Sequence, residues 1–359
     1  MYDIVFTDSK ITKVFGMAIK RATMQDIADA CGLSRNTVSK VFNGRGTVPE
    51  ATRQMVLQKA QEIGYGQLPK EEAVLPEQSR KSVALLTCNM PRDFHFGTIF
   101  LPAFVERLSR SGYSLVMYEI TPEELQCNAL PSRLIPEQTA GIVCIELFNR
   151  IYMDMVCKHG IPVIFIDAYA GATLSVTNCD TIYMENIASI IALTRHVIEM
   201  GARSIGFIGK PEHCESFRER WEGFKIAMEQ SGIALDPSLC ILEGNHDNHL
   251  DMNWIIERLD SMPRLPDAFV CANDFYAINL IGALKHKGLS IPADVMVTGF
   301  DGTSQSTVID PPLTTARIPS AEIGQTAADI LLNRLDNPTR PFTTVYMRTN
   351  PVYRQSTRI

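Results

Sequence analysis

The chain lacks several things, and each absence closes off a class of function. No apolar run approaches the roughly 18 residues of a membrane span. The first residues also lack the basic-then-apolar order of an export signal, so a cytoplasmic protein with no membrane partner is expected. Nine cysteines (31, 88, 127, 144, 157, 179, 214, 240 and 271) are scattered without a C-x-x-C pair, which argues against a disulfide framework or zinc site and for reduced, mostly buried thiols. The patterns G-x-S-x-G, H-E-x-x-H and G-x-G-x-x-G are absent. Gly201, Gly206 and the pair Gly209-Lys210 do not have phosphate-loop spacing, and Pro211 removes an amide such a loop would need. His246, Asp247, His249 and Asp251 include metal-competent groups, but no cysteine or distant cluster completes a set, so a solvated loop or pocket edge is expected. Neither catalysis nor a cofactor nor a metal is expected.

What is present begins at Thr23-Met-Gln-Asp-Ile-Ala-Asp-Ala-Cys-Gly. Thr23 can cap a helix whose Met24, Ile27, Ala28 and Cys31 recur at helical spacing, and Gly32 ends it. Ser34 can cap a second helix with Val38, Val41 and Phe42 on one face, and Leu33 is placed to staple it. Pro49 and Glu50 introduce a third, with Val56, Ala60 and Ile63 in register before Gly64. The second helix leaves Arg35, Asn36, Ser39 and Lys40 on its polar side. Arginine and lysine can donate twice to guanine and asparagine can pair with adenine, while hydroxyls hold phosphates.

Charge separates this reading from an ordinary solvated helical hairpin. Residues 17–66 carry seven basic side chains (Lys20, Arg21, Arg35, Lys40, Arg45, Arg53, Lys59) against four acidic (Asp26, Asp29, Glu50, Glu62), a net of +3 in a chain whose total is −6. Such polarity is expected where one module faces phosphates.

From Ser82 onward, β-rich runs alternate with helical patterns. Strands are expected at Val83–Thr87, Leu115–Tyr118, Gly141–Ile145, Val163–Ile166, Ser204–Ile208, near Ile241, and at Ala268–Ala272 and Val295–Gly299, with helices at 98–111, 151–159, 186–200, 216–231, 249–261 and 274–287. The alternation predicts parallel sheets covered by helices, in two Rossmann-like halves with ligands beyond the strands' carboxyl ends.

The head resembles the DNA-binding domain of the lactose-repressor/galactose-repressor family of bacterial regulators. The resemblance rests on T-M-x-D-I-A-x-x-C-G-L-S-x-x-T-V-S-x-V-F-N, then V-P-E-x-T-R and I-G-Y. It extends through H-V-I-E-M-G-A-R-S-I-G-F-I-G (196–209), F-R-E-R-W-E-G-F (217–224), C-A-N-D-F-Y-A (271–277), V-T-G-F-D-G-T (297–303) and P-P-L-T-T (311–315). It implies base reading by Arg35, Asn36 and Lys40, and backbone contacts by Thr23, Ser34, Thr37, Ser39 and Asn43. It also implies an effector pocket of Asn89, Arg92, Phe96, Asp167, Arg220, His246, Asn273 and Asp301. A guanidinium, an amide and carboxylates beside an aromatic plate suit a polyhydroxylated ligand.

The resemblance weakens in two places. Relatives carry a hinge helix after I-G-Y, rich in small residues, that sets a leucine wedge in the minor groove. Here the stretch reads GQLPKEEAVLPEQSRK (66–81), with Glu71 where a small residue is usual and Val74 at the wedge position. Adjacent glutamates repel phosphates and Pro69 and Pro76 bracket too little chain for a helix, so a flexible linker is expected. The first sixteen residues match nothing in the family and read as an upstream start codon chosen in error.

The expected organisation is an N-terminal all-α helix-turn-helix head followed by an α/β core of two Rossmann-like, periplasmic-binding-protein-like subdomains. The segments are an extension at 1–21, the head at 22–65, a linker at 66–81, and an effector and dimerisation core at 82–359. Within that core, subdomain 1 covers about 82–180 and 319–343, and subdomain 2 about 181–318 and 344–359. The expected function is an effector-responsive repressor that binds a pseudo-palindromic double-stranded operator as a homodimer and senses a small molecule, a sugar first. The dimer surface is expected around the helices at 98–111 and 274–287. A nucleobase or other metabolite as effector is the alternative, and a small-molecule binding receptor without DNA function, or an enzyme on a doubly wound fold, are the rivals from other classes.

Overall fold

The computed structural model describes residues 23–43, 48–63, 65, 82–90, 97–175 and 178–357. It forms two units, divided near residue 78. The extension at 1–21 and the linker at 66–81 lie outside the described residues.

The first unit holds three helices, α1 (Met24–Cys31), α2 (Arg35–Asn43) and α3 (Glu50–Glu62). Local chemistry marks their ends. Thr23 and Asp26 form a reciprocal capping box at the start of α1, and Gly32 takes the left-handed conformation (φ 66°) that lets the chain turn out of it. Ser34 Oγ accepts from the Thr37 amide at 3.1 Å, so α2 is capped as expected. Ile27, Ala28, Val38, Val41, Val56, Ala60 and Tyr65 are buried together, two from each expected stripe plus the tyrosine of I-G-Y, which packs edge-on against Phe42 at 5.4 Å.

The second unit holds two sheets. In chain order its first part contains β1 (Ser82–Thr87), α4 (Gly97–Arg110), β2 (Ser114–Glu119), α5 (Pro122–Cys127), β3 (Thr139–Ile145), α6 (Arg150–Lys158), β4 (Val163–Ile166) and β5 (Asp180–Met184). The chain continues through α7 (Ile187–Glu199), β6 (Ile205–Ile208), α8 (Glu215–Gln230), α9 (His246–Leu250), α10 (Met252–Ser261), β7 (Ala268–Cys271), α11 (Asp274–His286), β8 (Met296–Asp301), α12 (Gln305–Val308) and β9 (Thr314–Arg317). Then α13 (Ser320–Asp336), β10 (Thr344–Met347) and β11 (Asn350–Val352) complete it.

The six-stranded sheet runs β10-β5-β4-β3-β1-β2 and is parallel throughout; the five-stranded sheet runs β11-β9-β8-β7-β6, with only β11 antiparallel. Strands buried on both faces read as continuous apolar runs, which is why β3, β4, β6 and β7 were legible. Helix α13 packs on α4 so closely that a Cβ at Gly324 would meet the Phe100 carbonyl.

Three expectations need correcting. The subdomain boundaries shift, because Asp180–Met184 and Thr344–Met347 both pair into the first sheet. The chain therefore crosses between lobes after Met184, after Arg317 and after Met347, later than 180/181 and 343/344. The strand near Ile241 is only a single bridge to Ile208, since a 3₁₀ turn at Pro237–Leu239 precedes it and Gly244 (φ 90°) turns the chain away. The helix at 249–261 is two helices, α9 and α10, separated by Asp251, which is extended and caps the second.

None of the nine cysteines is in a disulfide, but the expectation that most are buried holds for Cys144, Cys179, Cys214 and Cys271 alone, with Cys88 and Cys127 exposed. Burial pushes the thiols of Cys144, Cys214 and Cys271 well up, so they pack as small apolar groups. No described helix is long and apolar enough to cross a membrane.

Candidate DNA-reading head and effector cavity

On α2, Arg35, Asn36 and Lys40 are exposed on the face opposite buried Val38 and Val41. Thr23 and Ser34 spend their hydroxyls locally, Thr23 on Asp26 and Ser34 with Thr37 at 2.9 Å. Thr37 and Ser39 are half-buried, and the Asn43 side chain lies outside the described residues. The helix therefore presents two guanine-competent cations and one adenine-competent amide on a single wet face.

Between the two sheets of the second unit lies a cavity of about 980 Å³. Of the expected effector residues, Asn89, Asp167, Arg220, Asn273 and Asp301 all line it. Arg92 and Phe96 lie outside the described residues, as does the His246 side chain. The cavity opens at the carboxyl ends of β1, β3, β4, β7 and β8, where an open parallel sheet presents loops and unpaired backbone groups.

Arg220, from α8, is the organising cation. Its Nε donates to Asn186 Oδ1 at 2.9 Å, one Nη donates to the Ala272 carbonyl at 2.7 Å, and the same Nη lies 3.6 Å from Asp301 Oδ1. Asn186 stands at the first crossover and passes the contact on: its amide donates to Glu219 Oε2 at 2.8 Å, and Tyr346 of β10 donates to Glu219 Oε1 at 2.9 Å. Burial raises the Glu219 carboxyl, and these two donors work against that rise.

Asp167 is buried at the end of β4 and accepts from the Ala168 amide at 2.8 Å and, across the cleft, from the Ser216 amide at 3.2 Å. Burial raises its carboxyl above the usual range despite those donors. Asn273 caps α11, its Oδ1 accepting from the Tyr276 amide at 2.9 Å. Asn89 donates to Glu146 Oε2 at 3.0 Å.

A row of rings along the cavity escaped the sequence reading. Phe148 meets His213 at 5.1 Å, His213 meets Phe217 at 5.1 Å, and Phe217 meets Tyr276 edge-on at 5.7 Å. His249 stacks on Tyr276 at 3.8 Å and is buried, which makes it a support for the wall, and Asp247 reaches the lining, so of the two readings of this segment the pocket edge fits and the solvated loop does not. These rings come from separate elements with no shared motif, although F-R-E-R-W-E-G-F carried Phe217 and C-A-N-D-F-Y-A carried Tyr276. No group of metal-competent side chains exists among the described residues.

Comparison with known proteins agrees with both halves. Residues 23–67 match the family described as bacterial regulatory proteins, lacI family, and residues 194–357 match the periplasmic binding protein-like domain. The HTH-type transcriptional repressor PurR of Haemophilus influenzae is 30% identical over 319 residues, spanning 88% of this chain and 91% of that protein. The chain belongs to the lacI family of bacterial regulatory proteins. A ribose operon repressor of the same organism is 28% identical over 337 residues, 93% of this chain and 98% of its own length. Among solved structures, the lac repressor dimer bound to operator and an anti-inducer has a TM-score of 0.69 at 23% identity, covering 94% of this chain and 99% of that one. A transcriptional regulator CelR–cellobiose complex has a TM-score of 0.68 at 24% identity, covering 94% and 100%. These two structures support the fold: a helix-turn-helix head followed by a two-lobed core.

Proposed function

We propose that this chain is a cytoplasmic transcriptional repressor that binds a pseudo-palindromic operator as a homodimer and changes its affinity when a small hydroxylated molecule, a sugar first, occupies the interlobe cavity. The observation that carries the DNA half is the exposed trio Arg35, Asn36 and Lys40 on a helix whose other face is fully packed. Such a set has no packing role and suits the major groove. Two heads are needed because one offers few base contacts, and symmetry doubles them at fixed spacing.

A surface for the second copy is consistent with the apolar side chains left on the first lobe: Ile99 and Val105 on α4, and Val116 and Met117 on the neighbouring edge strand β2, are all exposed. Leu250 and Met252, at α9 and α10 beside α11, play the same part on the second lobe. The effector reading draws on the cavity's mixture of carboxylates, amides and one guanidinium with a ring wall. The rings also favour a second reading, a planar nucleobase stacked against Phe217 or Phe148.

Electrophoretic shift with genomic fragments tests the function. Sequence-selective binding by the full chain, lost in Arg35→Ala, is expected; retained selectivity in that variant would remove the base-reading assignment. A thermal-shift screen of sugars and nucleobases then separates the two effector readings, and no response to any sugar would end the carbohydrate preference.

A further inference from the structure

The cavity's charge narrows its ligand further. Four carboxylates line it, Glu146, Asp167, Asp247 and Asp301, against a single guanidinium, that of Arg220, among the described lining residues. No lysine is among the described lining residues. Arg220 is also heavily committed to the protein, through Asn186, the Ala272 carbonyl and Asp301. The described lining is therefore net acidic, and low-dielectric walls strengthen its field.

Backbone geometry shows that the carboxylates are held there at a cost. The non-glycine residues with positive φ among those described are Asn128, which ends α5, and Glu146 (φ 49°), Asp167 (φ 63°) and Asp301 (φ 119°). The last three are all acidic, all stand at the carboxyl end of a strand (β3, β4 and β8), and all line this one cavity. Such a conformation is unfavourable for a residue with a side chain and persists only when its surroundings impose it. The same cavity is lined by Phe148, Phe217 and Tyr276, aromatic rings of the kind that attract cations.

We propose that the cavity selects a hydroxylated organic cation, a sugar-like molecule bearing an amine, and rejects phosphorylated or carboxylated ones. This rests on the cavity being the effector site. Carboxylates and ring faces hold the ammonium, Arg220 and Asn273 take hydroxyl oxygens, and an anionic substituent meets the like charge of the described carboxylates.

The test is calorimetry on the full-length protein with three probes of one shape: glucosamine at a pH where its amine is protonated, glucose, and glucose 6-phosphate. Glucosamine is expected to bind at least about tenfold tighter than glucose, with no measurable binding of the phosphate. Glu146→Gln, which keeps the shape and an acceptor for Asn89, is expected to weaken glucosamine binding more than glucose binding and so shrink the glucosamine-to-glucose ratio. Equal binding of glucosamine and glucose, binding of glucose 6-phosphate, or an unchanged ratio in Glu146→Gln overturns the charge selection. In a wider thermal-shift panel of neutral, anionic and cationic sugars and nucleobases, a neutral or anionic hit without a cationic one defeats this proposal alone. A panel silent at every charge defeats both it and the effector-site reading.

Discussion

The guanidinium of Arg220 lies over the ring of Phe300, its central carbon 3.7 Å from the ring centroid, while its edge reaches Asn186, Ala272 and Asp301. One residue thereby ties the floor of the second lobe to the first crossover and to the lining of the cavity. Arg220→Ala takes away the cationic neighbour of Asp301 and leaves Asn186 Oδ1 and the Ala272 carbonyl without that donor. A loss on the order of 3–5 kcal/mol in core stability is expected, measured by urea unfolding followed through tryptophan fluorescence. Operator binding should persist below the unfolding midpoint while effector response disappears. Arg220→Lys should rescue little, because an ammonium has no planar fork and stacks poorly; a lysine variant with normal stability and response would contradict this.

Arg35 predicts a different signature. It is exposed and touches nothing in the head's core, so Arg35→Ala should leave the melting temperature of the protein unchanged. Operator affinity should fall by about 1–3 kcal/mol with relaxed selectivity at one base-pair position in each half-site. Competition shifts against operators mutated singly along each half-site would measure both, and a uniform loss across all sequences would reassign Arg35 to phosphate contact.

Asp274 supplies a pH dependence whose sign can be worked out. It is buried in the first turn of α11, where it accepts from Thr315 Oγ1 at 2.5 Å and from the Thr303 amide at 2.7 Å; burial outweighs these donors and pushes its carboxyl from 3.8 up to about 6. A folded-state value above the unfolded one means the folded protein holds the proton more tightly, so this group's favourable contribution is full below about 3.8 and is lost as pH rises through about 6. Stability should therefore decline across that window from this group, and Asp274→Asn should lack the decline. Unfolding titrations from mildly acidic to neutral pH check it, and identical slopes for the two proteins would discount Asp274.

Much of this arrangement was legible in the chain, for reasons that also explain what was not. The head declared itself through periodicity and caps, because three short helices around one core leave little freedom in where apolar residues fall. Strands β3, β4, β6 and β7 were plain as apolar runs, whereas β5 was hidden because Asp180 opens it. That carboxylate is buried and pairs with Arg334 at 2.9 Å and 3.1 Å, a partner 154 residues away that no local pattern announces. Strand β10 escaped because it lies at the sheet edge and alternates exposed with half-buried positions. In the cavity, Arg220, Asn273 and Asp301 stood inside motifs and were found. Glu146, Phe148 and His213 belong to no motif and are gathered only by the ends of strands meeting across the cleft.

The linker prediction stands on sequence alone. Its adjacent Glu71 and Glu72 would repel phosphates and Pro69 and Pro76 bracket little chain, so it should not wedge the minor groove. Val74→Ala should leave operator affinity within about twofold, since no unstacking depends on it, and circularly permuted operator fragments should show little bending. A large loss in Val74→Ala accompanied by a strong central bend would restore the usual hinge.

Glu215 is the sharpest probe of how the lobes communicate. It opens α8 in the second lobe, yet its buried carboxylate accepts from the Gly171 amide at 2.5 Å and from the Thr173 hydroxyl in the first, while Arg218 pairs with it at 2.6 Å. Burial alone would raise this carboxyl, but Arg218, Thr173 and Gly171 together hold it below the usual range, so it stays charged and keeps its grip. Its own amide donates to the Ala168 carbonyl at 2.9 Å, next to the Asp167–Ser216 contact at the cavity wall. Glu215→Ala removes the side-chain ties and keeps the backbone one. If the lobes share an open–closed equilibrium, a ligand that bridges them must then supply the closing energy itself. Loss of charge-assisted hydrogen bonds worth about 1.5–3 kcal/mol should weaken effector binding by about tenfold or more. The ligand-free variant should have a larger radius of gyration in solution scattering, returning to the wild-type value at saturating ligand. Unchanged affinity and an unchanged radius would mean that the Glu215 contact merely decorates an interface held shut by the crossovers at Asn186 and Thr349, where Thr349 Oγ1 already bonds the Glu185 carbonyl at 2.6 Å.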